Sequence, residues 1–310
     1  MIAVPAGLAV SQSRGGEDMY QTFRLAYCDF GSNDVTRLSD YYGEILGATE
    51  MPASSPDQRY FSFGFDDHNI RLFKSERVGF ALVGLQLRKG LSVAEFTRIL
   101  SDKGLAPRRM SDARSGVADL VEVDVAGHRL QFIEDMAIAA PGFGRSGIVP
   151  NRIGHLGMIS SDATTLVSFF TEVLGFHKTD WFENVATFLT CNHDHHVINV
   201  VSAPVTKLHH IAFELRGPAH QYTAADLLAK RNIPLVWGPA RHTAGHNYAS
   251  YHYDPDHTLI ELYADMDVYL PDVGYMEPRP WHDLPQYPRE WPLSELTTWG
   301  TPYEFDFAKA

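Results

Sequence analysis

Apolar and polar positions along this chain repeat one pattern. RLAYCDFGSNDVTRLSDYYGEILG, from Arg24, and RIGHLGMISSDATTLVSFFTEVLG, from Arg152, align at a shift of 128 residues. Ser32 meets Ser160, Asp34 meets Asp162, Leu38 meets Leu166, Glu44 meets Glu172, Leu46 meets Leu174 and Gly47 meets Gly175. Tyr41 and Tyr42 pair with Phe169 and Phe170. Each copy predicts a short strand, then Ser or Asn followed by Asp as a helix cap. An amphipathic helix follows, apolar in the second copy at Leu166, Phe169, Phe170 and Val173. Gly175 ends it in the C′ position. Short alternating strands come next: WFENVATFLTC, HVINVVS and LHHIAFEL, then a helix from about Tyr222 to Lys230, then ASYHYDP and HTLIELYAD. The order β-α-β-β-β occurs twice per domain. The expected fold class is α+β, with two tandem domains, each a pair of such modules.

The boundary falls in MAIAAPGFGRSGIVPN, whose Gly, Pro and Ser content reads as a linker over 137–150. The first domain is expected over 20–136 and the second over 151–266. Residues 267–310 hold seven of the 18 prolines and three of the five tryptophans. They predict an extended C-terminal arm packed over the second domain. Gly142, Gly144 and Gly147 spell GxGxxG, but Ile148-Val149-Pro150 follows where a dinucleotide fingerprint needs a helix. Met1 to Val10 is mildly apolar, has no basic residue ahead of it and carries Pro5, so it reads as a loose leader rather than a signal peptide. Met19 is an alternative start.

Composition narrows the classes. A chain of 310 residues with 45% hydrophobic and 21% charged residues is an ordinary globular sequence. The net charge of −12 argues against nucleic-acid and membrane-surface partners. Cys28 and Cys191 form no framework, which fits a reducing, cytoplasmic compartment. No apolar run approaches the ~18 residues of a membrane span.

Twelve of the 15 histidines fall between His155 and His257. Three strand patterns there carry ionisable residues: Gly154-His155-Leu156-Gly157-Met158, His209-His210-Ile211-Ala212-Phe213 and Leu259-Ile260-Glu261-Leu262-Tyr263. A glutamate inside an apolar strand is costly unless paired or metal-bound. Strand alternation sets Glu261 opposite in direction to Ile260 and Leu262. HLGM aligns with HIAF, so His210 matches His155, and His209 is expected on the other face. Two His and one carboxylate on a face, with positions left open, is the facial triad of non-haem iron(II). The first domain places Tyr27 opposite His155, Leu82 opposite His210 and Phe132 opposite Glu261, so no ligand is expected there.

GHLGM, CNHDHHVINV, KLHHIAFEL and RHTAGHNYASYHYDPDHTLIELY resemble the type I extradiol ring-cleaving dioxygenases of the vicinal oxygen chelate superfamily, over about residues 22 to 266. The resemblance implies modules curled into half-open barrels, with Fe(II) (manganese(II) as the alternative) on His155, His210 and Glu261. It implies a small catecholic diol as substrate and O2 as co-substrate. His196 matches the family's acid–base histidine, with His195 as the adjacent choice. His242, His246 and Tyr251 match pocket residues that hydrogen-bond substrate or oxygen. The chain departs from the family's usual pattern at Ala240, Ser250 and His257. An oxygen-independent isomerase of the same superfamily, or cleavage of a hydroquinone or trihydroxybenzene, is the alternative activity. The arm and the family favour a symmetric homo-oligomer, a tetramer or larger.

Overall fold

The computed structural model describes residues 20–303; the leader, Met19 and the last seven residues of the arm lie outside the described residues. Four β-α-β-β-β modules follow one another. The first is β1 (Thr22–Ser32), α1 (Val35–Asp40), β2 (Thr49–Glu50), β3 (Gln58–Ser62) and β4 (Ile70–Lys74). The second is β5 (Gly79–Leu87), α2 (Val93–Asp102), β6 (Arg108–Arg114), β7 (Val117–Val125) and β8 (His128–Ile133). The third is β9 (Arg152–Ser160), α3 (Ala163–Ser168), β10 (His177–Phe182), β11 (Ala186–Thr190) and β12 (Ile198–Ser202). The fourth is β13 (Lys207–Glu214), α4 (Pro218–Lys230), β14 (Trp237–His242), β15 (Tyr248–Tyr253) and β16 (Leu259–Ala264). Helix α4 starts earlier than the apolar pattern predicts, because Gly217 takes the N-cap position and Pro218 suits the first helical turn.

Two sheets result, an α+β architecture. In the first, modules one and two join through β1 and β5, in the order β2-β3-β4-β1-β5-β8-β7-β6. The second repeats this through β9 and β13. Strand alternation gives each sheet two faces. Cys28, Phe30, Leu156, Met158, Ile211, Phe213, Ile260 and Leu262 point one way. They meet Leu38 of α1, Phe96 of α2, Leu166 of α3 and Leu228 of α4 in one continuous core. All four helices therefore cover the outer faces, and the two sheets share that core. The inner face of the second sheet carries the site residues together with a smaller apolar cluster that includes Ala212, Trp237 and Tyr263.

The arm completes the second sheet. It forms a small hairpin, β17 (Tyr269–Leu270) with β18 (Tyr275–Met276). Then β19 (Arg289–Trp291) pairs with β10 at one edge, and β20 (Thr297–Gly300) pairs with β14 at the other. Residues 292–296, including a short 3-10 turn at Leu293–Glu295, thus bridge the open side of the curled sheet.

The first sheet has a filled counterpart of the site. Its register corrects one expectation. Gln131, not Phe132, stands where Glu261 stands, because Gly84 pairs with Gln131 as Ala212 pairs with Glu261. The turn before β16 is one residue longer than the sequence alignment assumed. Tyr27 and Leu82 hold the other two positions, and Tyr27 donates to Gln131 at 2.8 Å. The guanidinium of Arg114 lies among them, bonded to both oxygens of buried Asp29 at 3.0 and 2.6 Å and 3.6 Å from the Tyr27 ring centre. An internal cation and its carboxylate occupy this face. Removing one partner of a buried pair strands the other. Arg114→Met is therefore expected to lose about 3 kcal/mol of stability, measured by urea unfolding; Arg71, which also bonds Asp29, keeps the loss from being larger.

Candidate active site

Three adjacent strands of the second sheet build the site. Ala212, at the centre of β13, pairs with His155 on β9 on one side and with Glu261 on β16 on the other. All three side chains share the inner face, and the small methyl of Ala212 leaves room between the flanking two. His210, two residues earlier, shares that face. The Nε2 of His155 lies 2.9 Å and that of His210 3.2 Å from the same oxygen, Oε2 of Glu261. All three residues are buried. The Nε2 of His210 makes no hydrogen bond. Burial alone would push the Glu261 carboxyl up, but the two histidines outweigh it and hold it well below the usual carboxylate range.

The orientation of each group is fixed from behind. Asn247 donates to Oε1 of Glu261 at 2.7 Å, which leaves Oε2 facing the histidines. The Nδ1 of His210 sits 2.7 Å from Nδ1 of His209. His209 is not on the far face, as alternation predicts. The β9–β13 register slips between Leu208 and His210, so His209 is an extra bulge residue and lies against its neighbour. Gly157 completes the seat: a Cβ there would lie 2.4 Å from the His210 ring and 2.7 Å from Oδ1 of Asn199. Gly157→Ala should push the His210 ring aside at a cost of about 1–3 kcal/mol, visible as a lowered Tm.

The remaining candidates separate. His196 faces the same cleft, its ring centre 4.3 Å from that of His155 and 4.9 Å from that of Phe188. Burial, with His155 and His195 beside it, holds its conjugate acid well below the usual histidine range. Tyr251, opposite Glu261 on β15, donates to Oε2 at 2.8 Å. The Nε2 of His242 lies within hydrogen-bond distance of the Tyr251 oxygen, at 3.1 Å. Trp237 stacks on the His242 ring at 4.7 Å. His246 departs from the expectation. It does not line the cleft; its Nδ1 bonds Asp267 at 2.7 Å.

His246, Asp267 and His282 form a second group of metal-capable side chains. Their proton positions argue against a metal. The Nδ1 of His282 accepts from the backbone N–H of Arg279 at 3.1 Å, so its proton is on Nε2, which donates to Asp267 at 2.9 Å. The indole N–H of Trp281 donates to the same oxygen at 2.9 Å. This cluster is a hydrogen-bonded carboxylate that ties the arm to the sheet.

A cleft opens above the triad. Phe182, Val185, Ala186, Phe188 and Val201 form one wall, and Leu293, Leu296 and Tyr303 of the arm form another. Among the described residues no lysine or arginine lines it. Asn199 and Asn247 face it and were not singled out from the sequence; lone asparagines flanking strands give no signal there.

Residues 152–262 match the family described as the glyoxalase/bleomycin resistance protein/dioxygenase superfamily. This segment is a domain of that superfamily. The chain is 28% identical over 122 residues to a metapyrocatechase of Pseudomonas sp. (strain CF600), covering 37% of this chain and 40% of that protein. The chain thus spans well under half of that relative's length. Over 263 residues it is 24% identical to the biphenyl-2,3-diol 1,2-dioxygenase of Paraburkholderia xenovorans (strain LB400), covering 76% and 86%. The fold is shared with the 2,3-dioxygenase LapB of Pseudomonas sp. KL28, at TM-score 0.78, 20% identity and coverage of 88% and 98%. It is shared equally with an Mn(II)-bound glyoxalase of Novosphingobium aromaticivorans, at TM-score 0.79, 23% identity and coverage of 92% and 96%. An iron-dependent extradiol dioxygenase of Rhodococcus jostii (strain RHA1) is also similar, at 22% identity over 251 residues and coverage of 70% and 81%, and the paired modules of this chain are those of the vicinal oxygen chelate fold.

Proposed function

We propose that this protein opens a catecholic ring beside its diol, inserting both atoms of O2, with Fe(II) on His155, His210 and Glu261. The observation that carries this reading is the convergence of two imidazole Nε2 atoms on one carboxylate oxygen at the floor of an apolar cleft. Hydrogen bonding accounts for it only in part, since the 3.2 Å approach of His210 Nε2 is an ion-pair contact without hydrogen-bond geometry. Two nitrogens and one oxygen on one side, open to the cleft on the other, suit iron(II) or manganese(II). When bound, the metal would supply a Lewis-acidic centre with positions free for a vicinal diol and dioxygen.

The chain's own residues then have separate tasks. Phe182, Phe188, Leu293 and Leu296 hold the ring and keep water out. His196 takes a proton from the diol and returns one as the ring opens, a task for a neutral buried imidazole. Tyr251 donates to the triad carboxylate, and His242 sets a second polar group beside it. With no cation lining the cleft among the described residues, the substrate expected is a neutral or weakly charged diol. A hydroquinone or trihydroxybenzene is the nearby alternative.

The second reading is an oxygen-independent isomerase, favoured only by the equal likeness to a glyoxalase. Oxygen uptake by anaerobically iron-loaded protein with a panel of catechols separates the two. Uptake with a new yellow product supports ring cleavage. No uptake with any diol, at one metal per chain, overturns it. Among the described residues no helix is long and apolar enough to cross a membrane.

A further inference from the structure

Behind His196 lies a line of buried groups that leads to the arm. The Nδ1 of His195 is 3.0 Å from Nδ1 of His196, and its Nε2 is 3.1 Å from Oδ2 of Asp180 on β10. His195 is fully buried. Asp180 also accepts the indole N–H of Trp291 on Oδ2 at 2.8 Å and the backbone N–H of Arg289 on Oδ1 at 3.1 Å. Gly245 keeps the line open: its φ is +75°, and a Cβ there would lie 2.8 Å from Nδ1 of His195.

Elementary hydrogen-bond chemistry fixes the protons along this line. A carboxylate only accepts, so the proton facing it is on Nε2 of His195. A neutral imidazole carries one N–H, so Nδ1 of His195 is an acceptor. Of two nitrogens 3.0 Å apart one donates, and that one is Nδ1 of His196. The remaining nitrogen of His196, Nε2, then carries a lone pair into the cleft that the ring lines.

We propose that Asp180 is a positioning residue which, through His195, sets the tautomer of His196 so that Nε2 meets the substrate diol as a base. Asp180 touches neither the triad nor the cleft. Its hold on Trp291 and Arg289 joins the docking of the arm to the proton state of the site. The assignment rests on the ring-cleavage reading only for what the base acts on; the tautomer itself does not.

The test uses the full chain, 15N-labelled at histidine and treated with chelator. Long-range 1H–15N correlations report which ring nitrogen holds the proton, and His196→Phe identifies the His196 signals. The expected spectrum has the proton of His196 on Nδ1 and that of His195 on Nε2. Asp180→Asn can turn an amide N–H toward His195, so both tautomers are expected to reverse. In the iron-loaded enzyme that variant should lose about 10²-fold in kcat, with KM and metal content within twofold. A native spectrum with the proton on Nε2 of His196, or with His195 doubly protonated, overturns the proposal without any variant. A loss of kcat with unchanged tautomers also overturns it, since that is a merely structural role. Native protein with the expected tautomers but no oxygen uptake would refute the ring-cleavage reading and leave this one standing.

Discussion

Glu261→Gln is expected to leave a folded chain that no longer retains its metal. The amide keeps the shape of the side chain and still accepts from Asn247. It removes the negative charge that sits 2.9 and 3.2 Å from two histidine nitrogens. Losing a group that merely orients a ligand costs about 10–100-fold in metal affinity, and losing the only anionic ligand should cost more than that. Metal analysis after dialysis should find the site empty, and oxygen uptake should fall with it. Full metal content in this variant would remove Glu261 from the ligand set. Unchanged urea unfolding alongside would show that the loss is local.

His196→Phe is expected to separate binding from chemistry. Phenylalanine fills the same space against His155 and Phe188, so metal content and KM should stay within a few fold. The proton acceptor is gone. General acid–base catalysis by a positioned group contributes about 10²–10⁴-fold, so kcat should drop by that factor, or about 2.7–5.4 kcal/mol in the barrier. Normal turnover would move the acid–base role elsewhere, and His195 is the wrong substitute. Its two nitrogens are committed to Asp180 and His196, and it does not line the cleft.

Much of this was legible because the chain repeats itself. A duplicated segment exposes what one copy needs and the other lacks. Both helices after β1 and β9 share their cap and apolar positions, since each covers the outer face of its sheet. His155 and Glu261 stood out because charged or polar groups inside apolar strands need a partner. Other parts were not legible. Alternation predicts His209 on the far face because it assumes an unbroken register, and one bulge turns a side chain around. The repeat sets Phe132 against Glu261, but a turn differs in length by one residue between the copies. The family resemblance implies a pocket role for His246, yet a left-handed backbone (φ +47°) turns it toward Asp267.

Sequence by itself determined the four modules, their doubling and the residues whose burial demands chemistry. These follow from local rules: period, caps, turn residues and the cost of a buried charge. Only the tertiary structure decided which nitrogens converge on one carboxylate oxygen. It alone placed Arg114 where the first sheet has no triad, and carried Asp180 and Trp291, 111 residues apart, to one hydrogen bond behind a catalytic candidate. Those are properties of register and of where the arm returns. Both are fixed by packing across the whole sheet, which no local stretch of sequence encodes.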